Sequence, residues 1–80
     1  MSTEMTRAEV AQCLEDFLEG RGGRWDWDDF ISIRLKDPEL ESIRLRCASL
    51  PERYPPERAG HYCNEEGMGI MRAFLSDLRK

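Results

Sequence analysis

Eighty residues with a mass of 9.4 kDa leave room for one small domain around one hydrophobic core. A hydrophobic share of 40% belongs to a folded chain rather than a disordered one, despite a mean hydropathy of -0.66. Sixteen acidic against twelve basic side chains give a net charge of -4 and a pI near 5.0, a balance that repels phosphate backbones and excludes non-specific nucleic-acid binding as the first expectation.

The first element in chain order is a helix over 7–19. Thr6 and Glu9 have the spacing of a capping box, in which a hydroxyl and a carboxylate each satisfy an amide at the helix start. Val10, Cys13, Leu14, Phe17 and Leu18 then recur as one apolar stripe, and Gly20 provides a left-handed stop. The other face, with Glu9, Glu15, Asp16 and Glu19, turns acid toward water. Gly20-Arg21-Gly22-Gly23-Arg24 reads as a turn. It is no phosphate-cradling loop, because Gly-Lys-Ser/Thr is missing and no apolar strand precedes it.

The segment Trp25-Asp26-Trp27-Asp28-Asp29-Phe30 follows, then Ile31-Ser32-Ile33-Arg34-Leu35. The second stretch alternates like a half-buried strand, but a lone strand finds no obvious partner in this chain. A short helix or an irregular turn is therefore favoured, the helix capped by Asp26 or Asp28 and turning Phe30, Ile31 and Ile33 inward. Asp37-Pro38-Glu39 opens the next helix: the aspartate caps, and proline stands where its missing amide costs nothing. Leu40, Ile43, Cys47 and Leu50 form its stripe, and Pro51 predicts an end near Leu50. From Pro51 to Cys63 a long proline-rich loop is expected, wrapping over the core with Tyr54 and Tyr62 against it. Asn64 caps a last helix with Glu65 and Glu66 in its first turn and Met68, Met71, Phe74 or Leu75, and Leu78 inward. Gly67 and Gly69 weaken its start by about 1 kcal/mol each relative to alanine and leave space for close packing. The expected fold is mainly α: a single domain over 1–80, a bundle of three principal helices with a short Trp-containing element and a long Pro-rich loop.

No apolar run approaches the ~18 residues that cross a bilayer, so no membrane partner is expected. Met1-Ser2-Thr3-Glu4 lacks the basic and apolar pattern of a secretory leader, and the odd count of three cysteines makes no disulfide framework. The expectation is a cytoplasmic protein.

Among side chains that could bear function, the Trp/Asp segment stands out. Trp25 and Trp27 have the size and rigidity of interface anchors, and Asp26, Asp28 and Asp29 would steer a basic protein partner. The competing reading is that Trp25, Trp27 and Phe30 supply core bulk; both hold if one indole packs inward and the other outward. Asp26-x-Asp28 fails as a calcium loop, since Phe30 and Ile31 stand where further ligands belong. Cys13, Cys47, Cys63 and His61 lack zinc-knuckle spacing, and no metal or cofactor is expected. His61-Tyr62-Cys63, just before a helix start, is the one stretch expected to expose a thiol, with a pKa lowered by the helix dipole. A single histidine leaves little for acid–base catalysis, and an enzyme is not expected. Leftover apolar surface on the helices would serve a homodimer.

W-D-W-D-D-F-I-S-I, D-P-E-L-E-S-I-R and H-Y-C-N-E-E-G, spread over most of the chain, resemble small stand-alone bacterial proteins of unassigned function, a group suspected of including immunity partners of toxins. The resemblance implies a binding protein with no chemistry of its own, and it transfers no catalytic residue. The function expected is thus a protein-binding module, regulatory or immunity-like, without catalysis. The alternative is a small thiol or zinc-binding protein using Cys63 and His61.

Overall fold

The computed structural model describes residues 3–20, 27–58 and 60–80. Along them run α1 (Arg7–Leu18), α2 (Trp27–Ser32), α3 (Pro38–Arg53) and α4 (Glu65–Leu78), with no strand among the described residues. The fold is a small mainly α domain. Its helix starts follow the capping chemistry of the sequence. Thr6 and Glu9 close a reciprocal capping box on α1, the Asp37 carboxylate accepts from the amides of Glu39 and Leu40, and the Asn64 side chain accepts from Gly67.

The amphipathic stripes meet in one core. α1 packs most extensively on α4, and α3 bridges α2 and α4. Phe30, Leu14, Met71, Val10 and Cys47 are sealed from solvent at the centre. Phe17, Leu18, Ile43 and Met68 are only half-buried and close its margin. Arg79 pairs with Glu15 at 2.7 Å, and the Arg7 guanidinium reaches both the Glu39 carboxylate and the Asp77 carbonyl. Such surface pairs each add well under about 1 kcal/mol.

Three local features depart from expectation. The first is at Leu35, where an isolated parallel bridge joins the chain to Thr3. The Thr3 amide donates to the Arg34 carbonyl at 2.6 Å and the Lys36 amide to Thr3 at 3.0 Å, so the alternating stretch does find an extended partner, in the residues before α1. Within the described part of the segment the helix is Trp27–Ser32, and Asp28 lies inside its first turn rather than capping it. Asp26 lies outside the described residues.

The second departure is at Pro51, which does not end α3. The helix continues to Arg53, and the Tyr54 amide donates to Leu50 at 2.7 Å. Proline has no N–H for the carbonyl four residues back, that of Cys47, and its ring crowds that group. The Tyr62 hydroxyl takes the vacant place, donating to the Cys47 carbonyl at 2.7 Å. The helix survives its proline because a side chain from the following loop supplies the missing donor.

That loop, residues 54–64, is closed at its neck by the Asn64 amide, which donates to the Tyr54 carbonyl at 3.0 Å. Tyr54 and Tyr62 both pack against the core, as expected. Gly67 fits here because a Cβ would stand 2.7 Å from Cys63 Sγ and 3.3 Å from Tyr54 Cβ. At Gly69 a Cβ would meet nothing, so only one of the two glycines serves close packing.

The third feature is a buried cation that the apolar stripes do not announce. Arg44 is 8% exposed, on the inner side of α3. Its Nε and Nη2 donate to the two Glu41 oxygens at 2.7 and 2.6 Å, and Nη1 donates to the Ile31 carbonyl. Glu41 Oε1 also accepts the Leu35 amide at 2.8 Å. One ion pair thus ties the end of α2 and the Leu35 turn to α3. The Arg44 hydrogen bonds, helped by the Leu35 amide and opposed by burial, hold the Glu41 carboxyl at about 2 instead of 4.5.

Two predictions follow from these contacts. Tyr62→Phe should cost about 1 kcal/mol in urea unfolding, and clearly less in a Pro51→Ala background, where the residue 51 amide can reach the Cys47 carbonyl itself. Equal costs in both backgrounds would disprove the compensation. For the ion pair, a depressed carboxylate stabilises the fold above its unfolded pKa and ceases to do so as pH falls through the folded one. Stability contributed by Glu41 should therefore be complete above about pH 5 and drain away toward pH 2. Arg44→Leu should lose about 2 kcal/mol at pH 7 and flatten that acid limb when unfolding is measured at pH 7 and pH 3.

Candidate functional site

α1, α2 and the 54–64 loop converge on Trp27. Its indole stacks on Phe17 with centroids 4.1 Å apart and planes 15° apart. Tyr62 meets both rings edge-on, at 5.4 Å from Phe17 and 5.7 Å from Trp27, and Phe30 lies 5.4 Å from the indole on the core side. Offset and edge-to-face geometries of this kind add about 0.5–1.5 kcal/mol per pair beyond burial. Local sequence places the rings: Phe17 lies on the apolar stripe in the last turn of α1, Trp27 and Phe30 sit one turn apart on α2, and the Tyr62 hydroxyl is held by Cys47.

Trp27 is half-buried in this cluster, so it is a packed residue whose edge reaches the surface. Its Nε1 is buried and has no hydrogen-bond partner of good geometry among the described residues. Burial raises the Tyr62 phenol above its usual range, and the neighbouring Trp27 N–H works against the shift. Asp28 and Asp29, next along α2, are exposed. Of the five residues expected to bind a partner, Trp27, Asp28 and Asp29 are thereby brought to one edge of the molecule. Trp25 and Asp26 lie outside the described residues.

The second candidate, His61 with Cys63, is corrected at the thiol. His61 is exposed, but Cys63 is only 2% exposed, covered where Gly67 packs against it. Desolvation raises its pKa, with Glu65 adding to the rise, and this outweighs any benefit from the start of α4. Desolvation likewise pushes Cys13 up to about 11 and Cys47 up to about 12. No group of three or more His, Cys, Asp or Glu side chains among the described residues comes together to hold a metal ion. No helix among them is long and apolar enough to cross a membrane.

One surface escaped the sequence reading. Leu45 is 53% exposed on the outer side of α3, off the stripe of Leu40, Ile43, Cys47 and Leu50. Two shallow grooves meet at it. One runs toward Tyr54 and Ile70, the other toward Arg34 and Lys36. The signal available was a leucine off the apolar stripe of α3, with Glu41, Ser42, Ser49 and Glu52 around it at helical spacing.

Comparison with protein-family models, curated proteins and solved structures finds no match to this chain.

Buried thiols make a direct prediction. All three cysteines should react with a disulfide reagent in native buffer many times more slowly than in denaturant, where they should become equivalent. A Cys63 that reacts at the denatured rate in folded protein would show that the loop does not cover it.

Proposed function

We propose that the chain is a protein-binding module without catalytic activity, which takes a basic partner at the α2 edge. The supporting observation is the pairing of two exposed carboxylates, Asp28 and Asp29, with the rigid aromatic base of Trp27, Phe17 and Tyr62 directly behind them. Aromatic bulk held by its neighbours loses little side-chain entropy on binding, and flanking carboxylates accelerate encounter with a cationic surface. The resemblance to small bacterial proteins directs this reading to a regulatory or toxin-neutralising role in the cytoplasm. A homodimer is compatible with it.

The test begins with the tagged full chain as bait in its native host. The partner recovered is then purified and its binding rates measured at low and high salt. Asp28→Asn/Asp29→Asn alters exposed side chains only and should leave the fold intact. It should weaken the complex roughly tenfold, mainly through a slower association rate, and reduce its salt dependence. Unchanged rates in that folded variant would remove the α2 edge as the binding surface. Trp27→Ala is the poorer probe, because it also dismantles the aromatic cluster.

A further inference from the structure

Charge is divided between the two halves of this acidic chain. Residues 1–40 hold five basic and ten acidic side chains, whereas 41–80 hold seven and six. A cationic surface lies along α3, joined by Arg34 and Lys36 from the first half. Ser42, Leu45, Arg46, Ser49 and Arg53 are spaced to share one outward helical face. The two grooves that meet at Leu45 have Leu45 and Arg46 in common, so they form one trough along the 16-residue helix. At one end stand Arg34 and Lys36, at the other Arg53.

The trough is apolar at its centre and cationic around it. Leu45, half-buried Ile70 and half-buried Tyr54 supply the apolar part. The Arg46 guanidinium is held 5.0 Å above the Phe74 ring, which fixes its stem while leaving its donors toward solvent. Among the described residues, the ion pairs engage Arg7, Arg44, Arg79 and Lys80, and none engages Arg34, Lys36, Arg46 or Arg53. Of the described residues lining the two grooves, Glu41 is the one carboxylate, and it is occupied by Arg44 and the Leu35 amide. Four cations that none of these ion pairs engages surround an exposed leucine and oppose the sign of the whole molecule.

We infer that the outer face of α3 is a second binding surface, opposite in sign to the α2 edge, and that it takes an acidic protein segment presenting an apolar side chain to Leu45. Charge complementarity selects the acidic partner. The apolar floor selects a protein over a nucleic acid, because a phosphate backbone offers nothing to Leu45, Ile70 and Tyr54. An amphipathic helix with apolar side chains one turn apart and carboxylates beside them matches the chemistry of the trough. This surface is separate from the α2 edge, so each stands or falls on its own.

The experiment is selection of displayed random peptides of about 16 residues, one α3 length, against the folded full chain. Leu45→Asp and Arg46→Glu/Arg53→Glu serve as counter-selection targets, after amide NMR spectra confirm that both variants fold. Enriched peptides should be acidic with apolar residues at helical spacing. They should lose at least about tenfold in affinity for either variant and shift the amides of residues 42–53. Their affinity should be unchanged by Asp28→Asn/Asp29→Asn, the variant that tests the α2 edge. Enrichment of neutral or basic peptides, or binding indifferent to Leu45→Asp, would overturn the inference. So would binding of a single-stranded oligonucleotide that requires Arg46 and Arg53, or a concentration-dependent dimer in sedimentation abolished by Leu45→Asp.

Discussion

A proline inside a helix leaves a carbonyl without its donor, and in this chain that vacancy organises the side of the molecule on which the aromatic cluster lies. Pro51 frees the Cys47 carbonyl, and the Tyr62 hydroxyl occupies it. Because Tyr62 is fixed from α3, its ring stands edge-on to both Phe17 and Trp27, and the loop that carries it is drawn over the core. The same loop covers the Cys63 thiol and packs it on Gly67. One hydrogen bond thus fixes the Tyr62 ring beside the aromatic cluster, and this single side chain touches α1, α2 and α3. A domain of this size has few ways to spread such a load.

The remaining tie works by charge. α2 is only six residues long and makes too few internal hydrogen bonds to hold itself. Arg44 grips the Ile31 carbonyl near its end, while Glu41 grips both Arg44 and the Leu35 amide. Thr3 completes the arrangement by pairing with the backbone around Leu35. A short helix, a turn and the residues before α1 are therefore stabilised by α3 rather than by their own propensity.

Opposite charges lie on different parts of this one small body. The α2 edge carries Asp28 and Asp29 in front of packed aromatic rings, whereas the outer face of α3 carries cations around Leu45. A uniformly acidic surface would attract basic partners without regard to orientation. Segregated patches give direction to an encounter, since each partner meets an attractive face and a repulsive one.

Local chemistry was legible wherever a backbone need is answered within a few residues. Thr6 with Glu9, Asp37 with Pro38, Asn64 and the apolar stripes between them determined the three long helices and most of the core. Composition alone determined the acidic balance and the single-domain size. Contacts between residues distant in sequence were decided only in three dimensions. That Pro51 is tolerated depends on Tyr62, that Leu35 finds an extended partner depends on Thr3, and that Arg44 is buried depends on Ile31 and Glu41. The site followed the same division. The sequence marked Trp27, Asp28 and Asp29 as unusual, but packing alone decided that the indole serves the core while the carboxylates face water. It likewise decided that Cys63 is covered and Leu45 is not. Burial depends on what the rest of the chain brings to a residue, and no local pattern encodes that.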